Sequence, residues 1–134
     1  MKLLFAVIFL TISAAGLSQK KQLPDKQLYD TVYTRPEVPA SYPGGEKAWK
    51  KYIKKHQKYP RKAWWDEIES EVAVKLIIEK DGTISNVYHL NISNHGFEQE
   101  AVRLVKQSGK WIPAKHRGQT VKSEGQLTIE FRLR

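Results

Sequence analysis

Apolar and polar residues alternate from Val72 to Glu79, with Val72, Val74, Leu76 and Ile78 on one side and Ala73, Lys75, Ile77 and Glu79 on the other. A period of two in a run rich in Val and Ile predicts a strand with one buried face. Asp81-Gly82 follows, a pair suited to a tight turn because glycine takes positive φ without penalty. A second β-rich run carries Ile84, Val87, Tyr88, Leu90 and Ile92, so a β-hairpin is expected here. A lone hairpin is marginal in water and needs another strand or a helix against it. The chain supplies both. Leu127, Ile129, Phe131 and Leu133 alternate with Gln126, Thr128, Glu130 and Arg132, predicting a last strand that runs to the C-terminus.

Two stretches have the helical period instead. After Pro43-Gly44-Gly45-Glu46, the residues Ala48, Trp49, Tyr52, Ile53 and His56 recur on one face, while Lys47, Lys50, Lys51, Lys54 and Lys55 cover the other. Tyr59-Pro60 ends that helix, because a residue before proline avoids the α region. Arg61 to Ile68 reads as a short second turn, with Ala63, Trp64 and Ile68 as burial candidates; of the adjacent Trp64 and Trp65, one is expected at the surface. Beyond the turn cluster Asn94-His95-Gly96, Phe97, Ala101, Leu104 and Val105 mark a second helical face, which ends at Ser108-Gly109. Glu98 and Glu100 near its start and Arg103 and Lys106 later match the helix dipole. Lys110 to Ala114 reads as an extended crossing and Lys115 to Thr120 as a polar loop. The expected fold class is α+β, a three-stranded antiparallel sheet with two helices packed on one face.

The N-terminal third differs in kind. A basic start, Met1-Lys2, precedes an apolar run from Leu3 to Ile12 and the small residues Ser13 to Gly16, the layout of a secretory signal peptide over residues 1–18. Cleavage is expected between Ser18 and Gln19. The apolar core of about 15 residues falls short of the roughly 20 that span a bilayer. The competing possibility is an uncleaved anchor in the inner membrane, facing the periplasm. Residues 19–41 form a polar arm carrying Pro24, Pro36 and Pro39, followed by a domain over residues 42–134. Repeated prolines favour extended chain, and Tyr29, Val32, Tyr33 and Val38 suit an extra strand laid along the domain.

The 134 residues carry 23 Lys and Arg against 14 Asp and Glu, a formal net charge of +9. Loss of Lys2 with the leader leaves 22 − 14 = +8. The cations are scattered in ones and twos, the pattern of a solvated basic surface rather than of a nucleic-acid arm, and no nucleic-acid partner is expected. The absence of cysteine removes disulfides and thiolate metal sites. His56, His89, His95 and His116 show no metal-ligand spacing, and no cofactor is expected. No nucleophile elbow or phosphate loop is present, and Asp66, Glu67, Glu69 and Glu71 read as a solvated acidic loop, so catalysis is not expected.

Taken in order, the motifs resemble one family. Tyr42-Pro43-Gly44-Gly45-Glu46, Tyr59-Pro60-Arg61-Lys62-Ala63, Glu79-Lys80-Asp81-Gly82-Thr83-Ile84, Phe97-Glu98-Gln99-Glu100-Ala101, Lys110-Trp111-Ile112-Pro113-Ala114-Lys115 and Thr128-Ile129-Glu130-Phe131 are similar to the C-terminal domain of TonB, in the form common among Bacteroidetes-type energy transducers. The resemblance implies a periplasmic domain that binds an extended segment of an outer-membrane transporter, or of another envelope protein, by strand addition at a sheet edge. The matching edge is Gln126, Leu127, Thr128, Ile129, Glu130, Phe131, Arg132 and Leu133, with Tyr59 and Pro60 nearby. The arm, or a second copy pairing into a homodimer, would engage the same edge groups. The chain departs from a full transducer in its short N-terminal arm and apparent leader. An arm of about 25 residues in polyproline II reaches about 75 Å at most. The expected function is therefore an exported peptide-binding module; the alternative is a membrane-anchored transducer with an uncleaved N-terminal segment.

Overall fold

The computed structural model describes residues 31–134. The expected leader and the arm up to residue 30 lie outside the described residues. The elements in chain order are α1 (Gly45–His56), α2 (Arg61–Trp65), β1 (Ser70–Ile78), β2 (Ile84–His89), α3 (Phe97–Lys106), β3 (Ala114–His116), β4 (Gln119–Val121) and β5 (Ser123–Phe131).

The central sheet has the order β2-β1-β5, all antiparallel. The β1–β2 turn is closed by the Gly82 N–H donating to Glu79 O (2.9 Å) and the Glu79 N–H donating to Thr83 O (2.8 Å). Gly82 sits at φ +87°, and its carbonyl accepts the Trp111 N–H at 2.9 Å. A Cβ at this position would lie 2.1 Å from the Trp111 carbonyl oxygen, so the crossing segment docks on the turn because position 82 has no side chain. The pairing of β1 with β2 shifts once, between Ile77 and Ile78.

Val72, Val74, Leu76 and Ile78 are buried beneath Phe97, Ala101, Leu104 and Val105 of α3, with Ile129 and Phe131 of β5 completing the core. No residue of α1 is fully buried. It meets the core through Trp49, Tyr52 and Ile53, and the Tyr52 hydroxyl donates to Leu104 O at 2.7 Å. The α+β architecture, with α1 and α3 on one face of three strands, matches the expectation.

Local departures have physical causes. Residues 115–120, expected as a loop, form the β3–β4 hairpin, turned at Arg117 (φ 50°) and Gly118 (φ 76°). Arginine is an uncommon residue at positive φ, so the sequence carries a weak hairpin signal here. Trp64, a burial candidate, is 53% exposed and packs edge-on against Trp65, while Ala63 takes the buried position of α2. Leu90 and Ile92 lie past the end of β2 and are exposed. Two carboxylates of the expected acidic loop, Glu69 and Glu71, pair with Arg132 next to the end of β5.

Candidate functional site

Strand β5 has β1 on one side and no full-length strand on the other among the described residues. Its register with β1 runs without a shift from Ser123 to Phe131. The direction of its backbone groups therefore alternates strictly. Two contacts fix the phase. The Glu124 N–H donates to Tyr33 O at 3.0 Å, and Glu130 O accepts the Gln57 side-chain amide at 2.9 Å. Neither partner belongs to β1, so even-numbered residues point their N–H and C=O outward. Between these contacts, the N–H and C=O of Gln126 and Thr128, the C=O of Glu124 and the N–H of Glu130 form an open window without a partner among the described residues.

The window is bounded at both ends. Toward the start of β5, Tyr33 makes a short parallel bridge at Ser123, and its own N–H donates to Lys122 O at 2.9 Å. The arm continues through antiparallel bridges from Val38 to Lys115 and from Ser41 to Ile112. Tyr33 and Val38, suited by sequence to lie along the domain, do so at single positions. Toward the C-terminus, Gln57 caps the carbonyl of Glu130.

A groove runs beside the window, between β5 and α1. At the arm end it opens into a cavity of about 510 Å³, walled by Tyr42, Trp49, Trp111 and Leu127 and floored by Leu76 and Ile78. At the other end lies a second hollow of about 630 Å³ beside Lys50, Lys54, Arg132 and Arg134, with Glu46 and Glu130 as the acidic residues of its lining. The hydrogen bond that Lys50 donates to Glu46, at 2.9 Å, raises the Lys50 pKa above its usual value. The groove thus passes from an aromatic end to a cationic end.

The opposite face of the sheet fixes the edge strand laterally. Glu124 accepts Lys75 at 3.0 Å and the Tyr88 hydroxyl at 3.0 Å, tying β5 to β1 and β2. The hydrogen bond from Lys75, and then that from Tyr88, hold the Glu124 carboxyl below its usual range.

The expected site residues divide. Gln126, Leu127, Thr128, Ile129 and Glu130 line the groove or carry the open window. Phe131 turns into the core. Arg132 lines the cationic end and also pairs with Glu71. The Leu133 N–H donates to Glu69 at 2.8 Å, outside the window. Tyr59 and Pro60 do not line the groove: the Tyr59 hydroxyl donates to Ile68 O at 2.5 Å and its ring packs edge-on against Phe97 and Phe131. Tyr59 braces the strand from beneath. Tyr33, Gln57, Trp49, Trp111 and Gly125 belong to the site without having been singled out for it. Gly125 alone had a usable signal, since a glycine inside a strand pattern marks a close approach or a gap.

No curated protein sequence matches the chain. Among solved structures, it is similar to the solution structure of the Helicobacter pylori TonB C-terminal domain, with a TM-score of 0.50 and 19% identity over 64% of this chain and 78% of that one. It is also similar to that of Pseudomonas aeruginosa TonB, with a TM-score of 0.45 and 25% identity over 57% of this chain and 78% of that one. The first likeness bears on the fold alone. The family described as Gram-negative bacterial TonB protein C-terminal matches residues 55–133, from the end of α1 through β5. Its members are protein-interaction domains of the periplasm that work with outer-membrane transporters, and this chain belongs to that family.

Proposed function

We propose that the protein is an exported module that binds an extended segment of an outer-membrane transporter by adding it as a strand to β5. The observation that carries this is the open window from Glu124 to Glu130, flanked by a groove wide enough for side chains. Unpaired backbone groups on a sheet edge are a template for a further strand. An antiparallel segment pairs doubly at Gln126 and Thr128 and singly at the Glu124 C=O and the Glu130 N–H. That accommodates an extended stretch of roughly five to seven residues. The cationic end of the groove suits a segment carrying acidic residues. The lead-in Tyr42-Pro43-Gly44-Gly45-Glu46, which precedes the matched span, supports the Bacteroidetes-type form of the family.

The test is an NMR titration of the full chain, isotope-labelled, with peptides copying extended segments of an outer-membrane transporter from the same host. The amides of Gln126, Thr128 and Glu130 are expected to shift and to gain protection from hydrogen exchange. Shifts centred on the exposed lysines of α1, with β5 unchanged, would instead show an anion-binding surface and refute strand addition.

A further inference from the structure

The core-facing side of β5 reads Ser123, Gly125, Leu127, Ile129, Phe131, two small residues followed by three large ones. The small pair lies opposite large partners: Ser123 pairs with Ile78 and Gly125 with Leu76, both about 1% exposed. A strand that closes a core would carry large side chains there. Their absence leaves the aromatic cavity of about 510 Å³, a volume in the range of ligand sites. Its wall is firm. The rings of Tyr42, Trp49 and Trp111 touch one another at centroid distances of 5.1, 5.3 and 5.7 Å, and the Trp111 indole N–H is fixed on Ser108 Oγ at 2.9 Å.

The arm crosses this cavity without filling it. Thr34, Pro36, Pro39 and Ala40 line it, whereas the nearby large apolar residue Val38 is 56% exposed and tied by its backbone to Lys115. The cavity and the open window share one strand. A segment added to β5 alternates its side chains, so its residue opposite Gly125 or Leu127 points to the helix side, over the cavity.

We infer that the cavity is an anchor pocket for one bulky apolar side chain, aromatic or long aliphatic, carried by the segment that adds to β5. The inference rests on the strand-addition reading and deepens it by naming what the segment must present. It also places the anchor. Tyr33 occupies Lys122 O and the Glu124 N–H, so the added segment stops at the level of Glu124. The residue facing Gly125 is then close to one end of the paired stretch. The pocket reads an end residue, and the remainder of the segment extends toward the cationic hollow.

The experiment uses the full chain and synthetic nine-residue peptides of alternating Thr and Ser, with Ala, Leu, Phe or Trp placed at each position in turn. Binding is read by fluorescence polarisation. Leu, Phe or Trp near one end should bind roughly 10- to 100-fold more tightly than Ala at the same position, the gain from burying a large side chain. In Gly125→Val, whose side chain occupies the pocket floor, that advantage should disappear. Gly125→Ala adds one methyl group 3.3 Å from Ile78 Cδ1 and should reduce the advantage partly. Should Gly125→Val fail to fold, contacts between the anchor ring and the Leu76 and Ile78 methyl groups of the unaltered chain, seen as intermolecular NOEs, decide the matter. Peptides that bind with no positional preference, or a preference that survives Gly125→Val, overturn the anchor pocket and leave strand addition standing. Binding that is indifferent to Thr128→Pro, or no binding by any peptide, removes strand addition itself and the pocket with it.

Discussion

Thr128→Pro separates binding from stability at the proposed edge. Proline lacks an N–H, but the Thr128 N–H points away from β1, so the ladder between β1 and β5 loses nothing. Leu127 before it is already extended, as a residue preceding proline requires. Thr128 is exposed on an edge strand, where proline is tolerated. The expected cost to folding is about 1 kcal/mol or less. For an incoming strand the change is larger. It loses one hydrogen bond of about 1 kcal/mol and meets the pyrrolidine ring where its own carbonyl should approach. A total of about 1.5–3 kcal/mol corresponds to roughly a 10- to 100-fold loss of affinity. The control is Leu127→Pro, one residue away, whose N–H points at β1 opposite Val74. It removes a ladder bond inside the sheet and should cost about 3 kcal/mol or more. Chemical denaturation and peptide binding are measured on both variants. Equal destabilisation by the two prolines would refute the assignment of outward groups. Unchanged binding in Thr128→Pro would refute the edge as the docking site.

Gly82→Ala should lower stability by about 2–4 kcal/mol, from a strained positive φ and the loss of the Trp111–Gly82 hydrogen bond, whereas Gly118→Ala, with open space around its Cβ, should cost only about 1 kcal/mol in a denaturant series. Glu124→Gln should lower the melting temperature at pH 7 by less than Gly82→Ala does. Because the Glu124 carboxyl is held below its usual range, its contribution is complete above the ordinary carboxylate pKa and is lost as pH falls through the lowered folded value. The melting difference between Glu124→Gln and the unaltered chain should therefore vanish in acid; a difference that persists there would show that the ion pair is not its source. Intact mass on soluble and membrane fractions of the native host should give a soluble species beginning near Gln19, and a membrane-bound species retaining the leader would support the anchored alternative.

The architecture was legible because each main element had its own period. Strand β1 and helix α3 show clean two- and 3.6-residue patterns, and their apolar positions became the core. The edge was legible for the same reason, since the last strand has one obvious neighbour. What the sequence hid was what happens beside that edge. Tyr33 reaches β5 from a proline-containing arm through backbone atoms, which leave no side-chain signature. Gln57 caps Glu130 from a residue 73 positions away in sequence. The aromatic cavity needs Tyr42, Trp49 and Trp111, from three separate segments, and only their convergence gives it a shape. Trp64 shows the reverse error: an apolar side chain read as a burial candidate, although helical geometry places it on a different face from the buried Ala63.

The stitching of the arm also sets the order in which the protein yields to tension. Tyr33, Val38 and Ser41 are each held by a single pair of backbone hydrogen bonds, to Lys122 and Glu124, to Lys115 and to Ile112. A pull from the N-terminal side loads these pairs one after another, as a zipper opens. The sheet behind them is held by the unbroken pairing of β1 with β5, from Ser70–Phe131 to Ile78–Ser123, and by the core packed on it, so it yields after the arm. The arm is thus a mechanical fuse: extension should come first as small, low-force steps and then as one larger rupture. Single-molecule pulling that shows one rupture without early steps would contradict it. Parting of the Tyr33 pair, which adjoins the open edge, belongs to these early steps.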